Sequence, residues 1–192
     1  MPKPPRVAYK RTSSLKDIIV RSKLPPKSAR LKRKSTSGFK KCGAPSCSTC
    51  SHSVNTTSHT CNHTGDTLPV TSFITCSTPG VIYSVTCKKD SGECLRCKGP
   101  QYVGCTERPL KTRFSEHLGS VTQPSQVNTS KPVGVHFRSA GHSHANMVVQ
   151  PIEKVRSKDR FVLEARERFW IKRYQAVKTQ AVGVVEHGLN LK

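Results

Sequence analysis

Apolar residues in this chain gather in short runs in its second half, and their pattern predicts strands before helices. Residues 81–87 are rich in β-branched and aromatic side chains, which is typical of a buried strand, and residues 101–106 predict a second strand. The polar stretch between them holds two glycines and one proline, which favours a hairpin. Residues 146–152 predict a third strand.

Two helices follow from the same pattern, so that the fold class is predicted to be α+β. The first begins at Thr106 or Glu107, tolerates Pro109 in its first turn, runs to Leu118 and stops at Gly119. The second runs from about residue 158 to residue 177. The apolar residues expected on its buried side are Phe161, Leu163, Phe169, Trp170 and Tyr174.

Charge sets the first part of the chain apart. The net charge is +22, and +13 of it lies in residues 1–41, where large apolar residues are scarce. Such a segment cannot bury enough surface to fold alone, so residues 1–41 are predicted to be a disordered basic arm. The run Arg30-Leu31-Lys32-Arg33-Lys34 is read as a nuclear import signal, a phosphate-binding arm or merely a solvated tail. The charge as a whole favours a polyanionic partner, most plausibly nucleic acid.

Nine cysteines and eight histidines point to metal rather than to disulfides. The amino terminus has no apolar core, so no secretion is expected, and no apolar run has the roughly 18–20 residues of a membrane span. Residues 42–78 are predicted to be a loop-rich Cys/His segment. Cys42, Cys47 and Cys50 could bind zinc there together with Cys61 or Cys76.

Three constellations in residues 79–192 could carry chemistry. Arg113 and His117 are four apart and share a helix face, where they suit a phosphate group, although two solvated side chains would show the same spacing. Tyr83 and Tyr102 lie on the two paired strands and can face the same side. Glu164 or Glu167 could hold a divalent ion, or could form surface ion pairs.

The order of these motifs resembles the GIY-YIG nuclease superfamily, and more narrowly the endonuclease domain of Penelope-like retroelements. The motifs that carry the resemblance are Val81-Ile82-Tyr83, Tyr102-Val103-Gly104, Arg113-x-x-x-His117, Glu167-Arg168-Phe169-Trp170 and Gly188-Leu189-Asn190. Val81 stands where the superfamily name has glycine, and the gap between the tyrosines is longer than in compact members. The resemblance implies a small domain over residues 79–192 with a three-stranded antiparallel sheet flanked by helices.

Roles for six residues follow from the resemblance. Tyr83 would be the general base or would position the attacking water, and Tyr102 would bind near that water or the phosphate. Arg113 would stabilise charge on phosphorus, and His117 would assist proton transfer. Glu167, preferred over Glu164 because it precedes the aromatic pair, would hold one Mg²⁺ or Mn²⁺. Asn190 would support the site from the end of the chain.

The insert between the tyrosines predicts a structural zinc site. Cys94-x-x-Cys97 has the spacing of a half-site, and Cys87 lies in the same hairpin. The resemblance implies a Cys-Cys-His-His set completed by His136 and His142. Family position favours Cys87 with Cys97, whereas spacing favours Cys94 with Cys97, and the sequence leaves that choice open.

The expected function is a metal-dependent DNA endonuclease that nicks a strand for retroelement integration in the nucleus. A reverse transcriptase of the parent element is a possible protein partner, and no membrane is expected. The alternative is a non-catalytic, zinc-stabilised nucleic-acid-binding remnant of such an element.

Overall fold

A computed structural model describes residues 12, 37–88, 97–123, 131–139, 142–157, 159–177 and 186–191, with no side-chain placement at 97–99 and 186–187. Thr36–Lys192 form one compact unit. The predicted disordered arm, 1–41, and its basic run lie almost wholly outside the described residues, as does Cys94. Residues 42–78 share a core with the later strands, because Val70, Ile74 and Cys76 pack in one cluster with Val81 and Val85.

The chain forms an α+β fold, as predicted. The described helices are α1 Ser48–Ser51, α2 Leu110–Thr122, α3 Pro132–Arg138 and α4 Arg160–Arg173, with a 3-10 turn at His144–Asn146. The strands are β1 Gly38–Lys40, β2 Ser58–Thr60, β3 Thr67–Pro69, β4 Phe73–Thr75, β5 Val81–Cys87, β6 Cys97–Thr106, β7 Met147–Lys154 and β8 Glu186–Gly188. None of the described helices is both long enough and apolar enough to cross a bilayer.

The main sheet has the strand order β7-β5-β6-β8. The three predicted strands are present, and β5 pairs antiparallel with both β6 and β7. The prediction of three strands was incomplete, because the short β8 adds to β6 in parallel. Gly188 lets this strand lie close against the backbone at Ala176, since a Cβ at position 188 would lie 2.2 Å from the carbonyl carbon of Ala176. Two smaller sheets pair β1 with β4 and β2 with β3.

Strand β5 is buried along its whole length. Because side chains alternate across a strand, Val81, Tyr83, Val85 and Cys87 enter one core, which α2, α3 and the Cys/His segment cover. Ile82 enters the other core, which contains Leu163, Trp170 and Tyr174 of α4 and the following turn. The burial of every residue from 81 to 87, including Ser84 and Thr86, is thus explained by cover on both faces of the sheet.

The predicted bounds of the first helix were wrong at both ends. Pro109 precedes the first helical residue instead of lying in the first turn, and the helix continues through Gly119 to Thr122. A glycine inside a helix costs only about 1 kcal/mol. Ser120 is buried and Val121 packs against the core, and this packing offsets the cost.

The predicted buried side of α4 was partly wrong. Leu163, Trp170 and Tyr174 are buried, but Phe161 is 79% exposed and Phe169 is 49% exposed. The three buried residues are spaced by seven and four, so they share one helix face. Phe161 precedes Leu163 by two residues and Phe169 precedes Trp170 by one, so each is turned away from that face by about 100–200°.

Asn190 should be a determinant of stability. Its side-chain amide donates to the Val103 carbonyl (2.6 Å) and accepts from the Val103 N–H (2.8 Å), and Asn190 is itself buried. Asn190→Ala would leave both backbone groups unsatisfied, and we expect it to lower the free energy of unfolding by about 2–4 kcal/mol. Urea unfolding followed by the fluorescence of Trp170, the one tryptophan, measures this loss. Leu191→Ala, at an exposed neighbouring position, is the control. A loss equal to that of the control would refute this role.

Candidate active site and metal centres

The two tyrosines lie on the same face of the β5–β6 hairpin. Tyr83 pairs with Gly104 and Val85 pairs with Tyr102, so the tyrosines are diagonal neighbours. Gly104 has no side chain to separate them, and a Cβ there would lie 2.6 Å from a ring carbon of Tyr102 and 2.8 Å from the Tyr83 hydroxyl. Glycine is therefore required at position 104 for the two rings to lie side by side.

Helix α2 brings Arg113 and His117 to that hydroxyl. The Nε2 atom of His117 lies 2.8 Å from the Tyr83 oxygen, and Nε of Arg113 donates to the same oxygen at 3.2 Å. The His117 ring centroid is 5.8 Å from that of Tyr83 and 5.4 Å from that of Tyr102. We call Tyr83, Tyr102, Arg113 and His117 the tyrosine network; the structure brings these four predicted site residues together.

The tyrosine network is closed to solvent on one side and open on the other. Tyr83 has no exposed surface and His117 is 6% exposed, whereas the Arg113 side chain is 28% exposed. Burial raises the pKa of Tyr83 well above its usual range, and the nearby Tyr102 adds to the shift. Burial, with the charge of Arg113, lowers the pKa of His117 to about 3. Both groups are therefore neutral at pH 7.

A cleft adjoins the exposed side of Arg113. Its volume is about 280 Å³, and it lies between the end of β6, the start of α2 and the start of α4. Its charged lining residues are Glu107, Arg108, Arg113, Arg160 and Glu164. Three arginines and two glutamates give this lining a formal charge of +1. Each arginine is ion-paired, Arg108 and Arg113 with Glu116 and Arg160 with Glu164, so an anionic group such as a phosphodiester would compete with these carboxylates for the guanidiniums.

Glu167 lies on the inner side of α4, next to β6. Its Oε1 accepts from the N–H of Cys105 at 2.9 Å, and burial raises its pKa. Among the described residues, no set of three metal-ligating side chains forms around it. One carboxylate still fits Mg²⁺, which commonly takes one or two carboxylates and completes its shell with water and substrate phosphate. Glu164 instead accepts from Arg160 at 2.7 Å.

Asn190 does not contact the tyrosine network through any hydrogen bond found in the described part of the chain. Its amide holds the backbone of Val103, the residue after Tyr102. It can therefore act on the site only by fixing the position of β6.

The predicted zinc site is partly assembled within the described residues. Ligand atoms of Cys87, His136 and His142 lie within 4.8 Å of one another, and we call these three the Cys-His cluster. Cys87 ends β5, His136 is in α3, and His142 follows it. Cys94 and the side chain of Cys97 lie outside the description, so the choice of a fourth ligand stays a prediction.

A second group of thiols forms the four-cysteine cluster: Cys42, Cys47, Cys50 and Cys76. The sulfur of Cys50 lies 3.5 Å from that of Cys42 and 3.6 Å from that of Cys76. Tetrahedral zinc with bonds of about 2.3 Å holds its sulfurs about 3.8 Å apart, so the cluster fits a structural ion such as zinc. The alternative ligand, Cys61, lies in the other core, with its thiol 3.8 Å from the Tyr174 carbonyl oxygen.

The four-cysteine cluster is joined to the helix that carries Arg113 and His117. The N-terminus of α2 has no side-chain cap; instead the Lys111 N–H donates to the Cys76 carbonyl (2.8 Å) and the Leu110 N–H donates to the Thr78 carbonyl (3.1 Å). These bonds satisfy amides that a helix start leaves without intrahelical partners. A bound metal at Cys76 would therefore fix the start of α2.

Glu116 was not among the predicted site residues. It bonds to Arg113 at 2.8 Å and contacts Arg108, so it holds the guanidinium of Arg113 beside the cleft. The spacing of three between Arg113 and Glu116 could have indicated the pair, but such spacing is common on helix surfaces.

Comparisons with known proteins do not identify a family: no family model matches, and neither does any curated protein or solved structure. The likeness to GIY-YIG nucleases therefore stays a hypothesis carried by the residues described above.

We expect the intact protein to hold two zinc ions. Cys76→Ser should lower the zinc content from about two to about one per chain, because four thiolates form the first site. Cys61→Ser is the matched control, since it also changes a buried cysteine but should keep both ions. Elemental analysis after exhaustive dialysis measures the stoichiometry. Equal zinc in the two variants would show that Cys76 is not a ligand.

His117 and His59 should remain neutral in the folded protein well below neutral pH. Burial lowers their pKa to about 3 and about 4, respectively. Below about pH 6.5, the ordinary pKa of histidine, these two imidazoles bind protons in the unfolded chain but not in the folded protein. Their contribution therefore lowers the free energy of unfolding as the pH falls. Imidazole ¹⁵N shifts at about pH 5.5 should report neutral rings. A midpoint near 6.5 for either ring would contradict this.

Proposed function

We propose that this protein is a metal-dependent endonuclease that hydrolyses phosphodiester bonds in DNA and nicks a strand for retroelement integration. The family that this proposal invokes, on the resemblance of the motifs, is the GIY-YIG endonuclease of Penelope-like elements. The observation that carries it is the Tyr83 hydroxyl, bonded both by His117 and by Arg113 beside an arginine-lined cleft. That arrangement offers a proton acceptor and a fixed positive charge around one oxygen.

The hydrogen bonds set the direction of proton transfer. Arg113 can only donate, so the Tyr83 oxygen accepts from it and the Tyr83 hydrogen can be directed at Nε2 of neutral His117. In the proposed step the attacking water gives its proton to the Tyr83 oxygen while Tyr83 gives its own to His117. The products are an oxygen nucleophile and an imidazolium, with no net change in protons.

Arg113 would control access to the Tyr83 oxygen. Its guanidinium now bonds both to that oxygen and to Glu116, at the wall of the cleft. A phosphodiester in the cleft would attract the guanidinium more strongly than a neutral hydroxyl does. Turning toward the phosphate would expose the Tyr83 oxygen to water and place positive charge where the transition state becomes more negative.

Glu167 would hold the divalent ion, and Tyr102 and Asn190 would maintain the geometry. Bound Mg²⁺ or Mn²⁺ would polarise a phosphoryl oxygen and stabilise the leaving 3′-oxygen. The Tyr102 ring packs against the His117 ring, as the Tyr83 ring does, and so limits where that imidazole can lie. Asn190 keeps the backbone after Tyr102 in place.

DNA as the partner is supported by the charge of +22 and by the arginines of the cleft. A nuclear location and a reverse transcriptase as protein partner belong to the same proposal, and they rest on the resemblance and on the basic run at residues 30–34.

The alternative is a zinc-stabilised DNA-binding protein without catalysis. The observation that favours it is the complete burial of Tyr83, which makes any charged form of that residue costly. In that case the tyrosine network would be a hydrogen-bonded part of the core.

Nicking of supercoiled plasmid with added Mg²⁺ or Mn²⁺ tests the proposal. Tyr83→Phe, Arg113→Ala and Glu167→Gln should each lower the rate at least about 100-fold, because each removes a proton-transfer or charge-stabilising group. Zinc content and thermal unfolding should establish that each variant is folded.

Asp66→Asn is the control, a carboxylate on the loop between β2 and β3 and outside the cleft. If Glu164→Gln is inactive and Glu167→Gln active, the metal ligand has been misassigned. DNA binding without cleavage by the unaltered protein would establish the alternative instead.

A further inference from the structure

Helix α4 presents aromatic side chains to solvent. Phe161 and Phe169 are 79% and 49% exposed, and Val162 beside them is exposed as well. Two phenylalanines on one surface are unusual in a protein whose aromatic content is only 6%. Eight residues of helix separate them, a distance of about 12 Å along the axis. We call the side of α4 that bears Phe161, Phe169, Arg168 and Lys172 the outer face.

Positive charge accompanies these rings. Arg168 and Lys172 are exposed, and helical spacing places them on the same side as Phe161. The guanidinium of Arg166 lies 4.6 Å from the centroid of the Phe169 ring and is ion-paired with Glu153, so it covers one face of that ring and adds little free charge. The acidic residues of α4 are engaged elsewhere, Glu164 with Arg160 and Glu167 with the backbone of Cys105. The outer face is therefore aromatic and cationic.

The outer face begins beside the cleft of the tyrosine network. Arg160, in the first turn of α4, lines that cleft together with Arg113, and Phe161 is the next residue. By helical periodicity Phe161 and Arg168 lie about 80–100° around α4 from Arg160, and Phe169 lies about 180° from it. A strand that leaves the cleft on this side would therefore reach Phe161 and Arg168 first and would cross the helix to reach Phe169.

We propose that the outer face of α4 binds single-stranded DNA, with bases stacked on Phe161 and Phe169 and phosphates paired with Arg168 and Lys172. Unpaired bases have open π-faces that stack on exposed aromatic rings, and their backbone carries the charge that complements the arginine and lysine. Bases in a duplex are already stacked, so duplex DNA would use the cations but not the rings. The assignment of this strand to the substrate rests on the proposed nuclease function, whereas the binding itself does not.

The test measures the affinity of the full chain for a fluorescent single-stranded oligonucleotide and for the corresponding duplex, without added Mg²⁺ or Mn²⁺. Raised ionic strength reduces the contribution of the basic arm, residues 1–41. The double variant Phe161→Ala/Phe169→Ala should bind single strands at least about tenfold more weakly, with little change for duplex and an unaltered salt dependence. Arg168→Gln/Lys172→Gln should reduce the slope of log affinity against log salt by about 1–1.5.

Two matched controls exist on other surfaces. Phe73→Ala removes another exposed phenylalanine, 47% exposed on β4, and Lys88→Gln/Lys154→Gln removes two exposed lysines that lie outside the basic arm. The proposal is overturned if the Phe161/Phe169 variant binds single strands within twofold of the unaltered protein, or if it loses no more than Phe73→Ala. It is also overturned if the variant changes the oligomeric state in solution, which would make the outer face an interface between copies. Weakened binding in a protein that never nicks plasmid would support the outer face and refute only the nuclease function.

Discussion

The burial of β5 on both faces is the constraint on which the rest of the structure depends. Seven successive residues of this strand are inaccessible, so the chain must supply cover on two sides from a composition that is only 34% hydrophobic. Helix α4 covers one side, and α2, α3 and the Cys/His segment share the other. Because Tyr83 points into the shared side, the helix that covers it also has to satisfy a buried hydroxyl, and Arg113 and His117 meet that requirement.

The two cysteine-containing clusters lie on the side of the sheet that the Cys/His segment covers. Cys47 and Cys76 of the four-cysteine cluster and Cys87 of the Cys-His cluster belong to the same apolar core as Tyr83. Strands β1 to β4 have only three residues each and could not hold this segment in place by pairing alone. Metal ligation would supply the missing rigidity, and the hydrogen bond from Lys111 to the Cys76 carbonyl would pass it to α2.

Sequence patterns predicted those parts of the fold that depend on local order. The run 81–87 and the spacing of Arg113 and His117 need only strand or helix periodicity, and both predictions agree with the structure. The predictions that the helix would stop at Gly119 and that Phe169 would be buried were wrong, because a local preference competes with packing that exists only in the folded chain. β8 was missed because three residues carry no periodic signal, and the choice between Cys61 and Cys76 depended on which core each enters. The chemistry assigned to Tyr83, Glu167 and Asn190 rests on the resemblance, since spacing specifies a neighbour but not a reaction.

Electrostatics places a definite demand on the proposed chemistry. Burial keeps Tyr83 and His117 neutral, so the unliganded site opposes the charge separation that water activation requires. In the proposed mechanism, that opposition would be overcome by charges that arrive with the substrate, namely the phosphodiester that would draw Arg113 outward and a divalent cation that Glu167 would hold. A site of this kind would stay inactive until both are bound. This requirement for both ligands would suit a strongly basic protein. Nucleic acid bound nonspecifically elsewhere on its surface would then not be enough to start cleavage.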